Sequence, residues 1–135
     1  MDVVVTVPKN FKHPEALDKR GLAAWLAEGD PPGQDSGQLW AFACSGPEPK
    51  INPGERVYVC CEGMLVGFAH LVELSWQGKG SGWPKPKGFA RWSLIRGGNA
   101  VACTIDEKII GFRGWRYRWW SREAEKPLDL SPWLI

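Results

Sequence analysis

A chain of 135 residues, 44% hydrophobic and 24% charged, has the balance of one globular domain spanning 1–135; it is too short for two full cores and too apolar for a disordered segment. No apolar run nears the roughly 20 residues that cross a bilayer as a helix. The start Met1-Asp2-Val3-Val4-Val5 sets an acid where a secretory signal needs positive charge, so no membrane partner and a cytoplasmic location are expected. The net charge of +2 hides an asymmetry: residues 1–73 carry six Lys/Arg against ten Asp/Glu, and residues 74–135 carry eleven against five. A polyanion is attracted to the second half, not to the average.

In chain order, the β-branched run Val3 to Val7 predicts a first strand that Pro8 ends. Residues 14–28 predict the main helix: Pro14 suits a first helical position, and Leu22, Trp25 and Leu26 share one face. Gly29-Asp30-Pro31-Pro32-Gly33 stops it and opens a polar loop. Strands follow at Gln38–Cys44, Arg56–Cys61 and Met64–Trp76, the last two joined by a tight turn at Glu62-Gly63. Gly67, inside the longest strand, signals a bulge or a close backbone approach. After the irregular stretch Gln77–Gly88, Phe89–Ile95 and Ala100–Ile105 read as a strand pair around Arg96-Gly97-Gly98-Asn99. Gly114–Trp120 reads as the last strand, with an irregular tail. The fold class is therefore β-rich α+β, a small, partly closed β-barrel with one main helix packed on it.

Cys44, Cys60, Cys61 and Cys103 form no C-x-x-C pair and lie in strand-like runs, while His13 and His70 are isolated. Buried, unbridged thiols follow, with no metal site and no cofactor.

The segment Ile51-Asn52-Pro53-Gly54-Glu55-Arg56-Val57-Tyr58-Val59, then Glu62-Gly63, then Val66-Gly67-Phe68-Ala69, resembles a hairpin of the PUA-like superfamily. In its ASCH and EVE branches a P-G-[DE]-R-V turn starts a strand and a G-x-[AG] strand returns. The resemblance covers most of the chain as element order and Pro53–Ala69 as motif; Lys19-Arg20-Gly21 is as near as the chain comes to the ASCH helix signature, so no one branch is singled out. It implies a domain that binds RNA or DNA, often taking a base into an aromatic-lined pocket. In that fold the loop after the first strand edges the pocket, which makes Thr6, Lys9 and Asn10 second-tier candidates.

The residues themselves point the same way. In Gly111–Arg122, alternation on a strand sends Trp115, Tyr117 and Trp119 to one face and Arg116, Arg118 and Trp120 to the other. Arg113, Arg116, Arg118 and Arg122, with no acid between Lys108 and Arg122, are candidates to neutralise phosphate. Arg91 falls in an acid-free stretch from Leu74 to Ile105, beside Trp92. Nine tryptophans are many for this length, and those neighbouring Lys or Arg, namely Trp83, Trp92 and Trp120, are candidates to stack on a flipped or modified base. Lys79, Lys85 and Lys87, in the glycine-rich stretch, would supply steering charge. The expected function is a nucleic-acid-binding module; the alternatives are an ASCH-like hydrolase of a nucleoside or RNA using Thr6, Lys9 and Glu62, or a Trp-rich protein-interaction module.

Overall fold

Three consecutive valines need extended backbone and a covered site on both faces. Val3, Val4 and Val5 obtain this at the middle of a sheet, where each is fully buried. The structure, a computed structural model, describes residues 1–11, 21, 25 and 36–129. Among these, the elements are β1 (Val3–Thr6), β2 (Leu39–Gly46), β3 (Arg56–Cys61), β4 (Met64–Trp76), β5 (Ala90–Gly97), β6 (Val101–Thr104), β7 (Trp115–Tyr117), a 3-10 turn (Arg122–Ala124) and β8 (Lys126–Pro127). The helix expected over residues 14–28 and the loop at 29–33 lie outside the described residues, save Gly21 and Trp25. Among the described residues no helix is long and apolar enough to cross a membrane.

The strands form one curled sheet, a half-barrel in the order β2-β5-β4-β3-β1-β7, with β6 beside β4 and β8 beside β6. β1 runs parallel to β3 and antiparallel to β7, so the start of the chain is clamped between its middle and its end. The β3–β4 turn is the predicted two-residue one: Glu62 and Gly63 both take positive φ, 52° and 83°, the pairing whose twist matches a hairpin.

β4 is what bends the sheet. It has 13 residues, and its register slips opposite Val59/Cys60 and again between Leu71 and Glu73. From Met64 to His70 it pairs with β3, and with β6 at Gly67 and Phe68; from Leu71, across the second bulge, to Trp76 it pairs with β5. Gly67 sits where β6 comes closest: a Cβ there would lie 2.5 Å from the Val101 carbonyl oxygen. The expected strand pair around Arg96–Asn99 needs correcting. β5 and β6 do not pair with each other; both run antiparallel to β4, with Trp92 opposite Trp76 and Ala102 opposite Gly67. They are two pieces of one strand, interrupted where the Ala100 N–H turns back onto the Gly98 carbonyl.

The sheet buries apolar side chains on both faces. On the concave face Val3, Val5, Val57, Val59, Trp92 and Leu94 form one cluster, which Trp25 joins. On the convex face Val4, Tyr58, Cys60, Leu65 and Phe68 form a second, covered by Ile105, Ile109 and Phe112 from the segment between β6 and β7. All four cysteines are buried and unbridged. Burial pushes the Cys60 thiol up to about 12 and that of Cys103 to about 11, far from a reactive thiolate.

Candidate nucleic-acid interface

Among the described residues, the half-barrel closes at one corner. There β2 runs into Pro47–Lys50, and β7 approaches from the other edge of the sheet. The Trp115 indole N–H donates to the Pro47 carbonyl (2.9 Å), and the Lys50 backbone N–H donates to the Tyr117 hydroxyl (3.0 Å). Strand alternation turns Trp115 and Tyr117 inward, edge to face at 4.6 Å between ring centres. Gly114, at φ 73°, lets the chains touch: a Cβ there would stand 2.5 Å from the Ser45 carbonyl oxygen. Two of the predicted aromatics are thus the latch of the seam.

Beside this seam the concave face opens into a cavity of about 860 Å³. Phe42 and Cys44 of β2, Val5 and Thr6 of β1, and Leu94 and Arg96 of β5 line it, with Phe11, Trp25, Phe89 and Phe112 adding rings. Arg91 and Arg113 line it too, and both are solvent-exposed. They start close together: Arg91 is the cross-strand partner of Ser45, and Ser45 abuts Gly114, the neighbour of Arg113. Among the described residues, no carboxylate lies within ion-pair distance of either. The described polar side chains of the lining are three guanidiniums, the hydroxyls of Thr6 and Ser45, and the Cys44 thiol, which burial raises to about 11 against the pull of Arg91. The lining therefore offers hydrogen-bond donors and rings, which suits a planar guest rich in acceptors and attached to an anion.

Of the expected binding residues, Arg91 and Arg113 reach this site, and Thr6 lines it, its hydroxyl facing the Phe112 N–H at 3.5 Å. Lys9 and Asn10 are exposed, next to the lining residue Pro8. Trp92 does not serve as a stacking ring. The even positions of β5 face inward, so its ring is 0% exposed and its N–H donates to the Gly46 carbonyl at 2.9 Å.

The outward cationic row also needs correction. The strand ends at Tyr117, so the alternation lapses: Trp119 is exposed, while Trp120 packs edge-on against Tyr58 and donates its N–H to Glu125. Arg118 and Arg122 converge on the buried Asp2 carboxylate at 3.1 and 2.9 Å. Arg116 alone keeps the outward direction, its guanidinium 4.5 Å from the Phe112 ring centre. Asp2, Arg118 and Arg122, with Met1 and Glu55, surround a second hollow of about 200 Å³.

The glycine-rich loop between β4 and β5 is organised by its own contacts. Lys79 pairs with Glu73 and Lys85 with Glu48, and both ammonium groups lie over the Trp76 ring. Trp83 stacks across the Gly78 backbone yet stays 65% exposed, and Lys87 is exposed. Among the described residues no three His, Cys, Asp or Glu side chains gather as metal ligands would. Sequence reasoning passed over Arg96 and the phenylalanines of the cavity. The signal for Arg96 was present: Trp92, Leu94 and Arg96 alternate on β5, which puts a cation on the inward set. Comparison with protein-family models, with curated proteins and with solved structures gives no match.

Proposed function

We propose that this chain is a nucleic-acid-binding module that holds one unstacked, flipped or modified base in the cavity, with Arg91 and Arg113 gripping the adjoining phosphates. The observation that carries the reading is the pair of exposed guanidiniums, without carboxylate partners among the described residues, at an aromatic-lined cavity. Guanidinium forks fit phosphate oxygens and rings take unstacked bases, so both halves of a nucleotide find their chemistry at one place. About 860 Å³ lies within the range of about 300–1,000 Å³ usual for ligand pockets. The PUA-like resemblance of Pro53–Ala69 and the half-barrel form support the same reading, as RNA or DNA partners are what that superfamily implies.

The hydrolase alternative has less support. Thr6 lines the cavity, but Lys9 and Glu62 do not. An interaction module built on the Trp-rich strand is also disfavoured, since Trp115 and Tyr117 are engaged at the seam.

The test is fluorescence anisotropy with labelled single-stranded RNA and DNA at several salt concentrations. Arg91→Ala combined with Arg113→Ala should weaken binding about tenfold or more and flatten the salt dependence by about 0.7 logarithmic units for each phosphate no longer neutralised. Unaltered affinity and slope in the double variant would remove the proposed phosphate grip.

A further inference from the structure

Resting on that reading, we propose that the ligand is a single strand held at two consecutive nucleotides: one base enters the cavity, and its neighbour stacks outside on Phe89. Phe89 lines the cavity yet is 78% exposed, whereas Phe11, Phe42 and Phe112 are half-buried. A lone exposed ring on a protein surface needs no explanation in itself. Phe89 is set apart by its position. Arg91 follows two residues later and Arg113 shares the lining, both exposed and with no carboxylate in ion-pair distance among the described residues. No other ring of the described residues packs on Phe89, so its face is open to a guest. The backbone presents it from a fixed place: Gly88 turns the chain at φ 74°, and Ala90 already pairs with Gly46 as β5 begins. A side chain with two torsions on such a stem loses little freedom when a base settles on it.

Drawing one base into a cavity strips its neighbour of a stacking partner, and a ring standing at the rim replaces it. Every base has a π-face, so this contact reads the number of nucleotides and their strandedness, not their sequence. A free mononucleotide fills the cavity and leaves Phe89 bare. A duplex must first unpair and unstack at that place. The cations that could offset this by following two backbones are engaged elsewhere: Lys79 and Lys85 with Glu73 and Glu48, Arg118 and Arg122 with Asp2. Arg91 and Arg113 suit one backbone over a short step, and the phosphate joining the two nucleotides is the group they would hold.

The experiment uses the full chain and anisotropy of a labelled homopolymeric single strand, taking whichever of the four bases binds tightest. Its competitors are the same strand in a duplex, the mononucleotide, the dinucleotide with a 5′ phosphate, and that dinucleotide with either base removed to leave an abasic sugar. With one base gone, the cavity takes the other and Phe89 has nothing to stack on. The intact dinucleotide should therefore compete about fivefold or more better than either abasic form, and the single strand should outbind the duplex by a similar factor. In Phe89→Ala the intact and abasic dinucleotides should bind alike, mononucleotide affinity should be unchanged, and the salt slope should stay that of the native chain, since no charge is lost. Phe89→Trp should restore the advantage of the second base. The abasic comparison in the native chain carries the same information without a substitution. A second base that adds nothing, an advantage that survives in Phe89→Ala, or a duplex bound as tightly as the single strand would overturn the inference; if Arg91→Ala with Arg113→Ala still weakens binding, the cavity reading stands. No strand bound at all would bring down both.

Discussion

At the residue scale the clearest lesson is Asp2. Nothing acidic lies between Lys108 and Arg122 in sequence, so Arg118 and Arg122 look unpaired. The carboxylate comes from the other end of the chain, because β1 pairs with β7 in the register Val3 opposite Tyr117, which sets Asp2 beside Arg118. A local window cannot see that pairing. Burial works to raise the Asp2 carboxyl, but the Arg56 backbone N–H and the Arg122 and Arg118 side chains outweigh it and hold the group below the usual carboxylate range. A depressed folded value means the contribution to stability is complete above the unfolded value, about pH 4, and drains away as pH falls through the folded one. Asp2→Asn should therefore cost about 1–3 kcal/mol in urea unfolding at pH 7, discounted for the half-exposed Arg122. The difference from the native chain should shrink steadily below about pH 4. A gap that stays constant down to pH 2 would mean that the ion pairs contribute nothing and only the fit of the side chain matters.

Behind Asp2 the convex face holds a second set of paired polar groups. The Tyr58 hydroxyl donates to Glu125 at 2.6 Å, and Arg56 Nη1 donates to the Tyr58 hydroxyl oxygen at 3.0 Å and to Glu125 at 3.2 Å. Burial, and then the Glu125 carboxylate, push the Tyr58 hydroxyl up to about 12. These polar side chains are satisfied among themselves, whereas the two arginines at the seam have no carboxylate among the described residues. That contrast, more than the count of basic residues, locates the candidate interface.

At the scale of elements, most strands could be read from β-branched runs and turn residues, and the Glu62-Gly63 turn and the role of Gly67 follow from chemistry visible in the sequence. Where β5 and β6 sit was not visible, since a Gly-Gly-Asn stretch serves equally to reverse a strand and to interrupt one; the choice was made by β4, long enough to partner both pieces. The last strand stops at Tyr117, opposite Val3, the first residue of β1; beyond it the Arg118 N–H still reaches the Asp2 carbonyl, while the Arg118 and Trp120 side chains bond to Asp2 and Glu125. Gly114 gives this scale its test. Alanine there combines a strained positive φ with a Cβ driven into the Ser45 backbone, so Gly114→Ala should cost about 2–4 kcal/mol by urea unfolding. Gly82 has a similar φ of 86° but open space around it, and Gly82→Ala should cost about 1 kcal/mol. Equal destabilisation at the two sites would mean that the close approach at the seam does not matter to stability.

For the whole molecule, the division of charge between the two halves was correct as arithmetic but incomplete as electrostatics. Folding brings acids of the first half onto cations of the second: Asp2 to Arg118 and Arg122, and Glu48 to Lys85. Glu73 and Asp106 occupy Lys79 and Lys126. Among the described residues Arg91 and Arg113 at the cavity keep no carboxylate within ion-pair distance, and Lys87 and Arg116 are exposed. Two sets of cations can therefore be told apart by one measurement. Lys79→Ala with Lys85→Ala removes two formal charges, yet each leaves a carboxylate that it had neutralised, so a polyanion should also meet Glu73 and Glu48 laid bare. Lys85 sits on Glu48 of the Pro47–Lys50 segment, but if the strand follows Arg91 and Arg113 into the cavity these already paired lysines are not its phosphate contacts, and affinity should fall less than about threefold at moderate salt, which screens the bared carboxylates. Removing Arg91 and Arg113 should cost about tenfold or more under the same conditions. The reverse ranking would place the phosphate path over the β4–β5 loop, with Trp83 as its stacking ring, and move the interface off the cavity altogether.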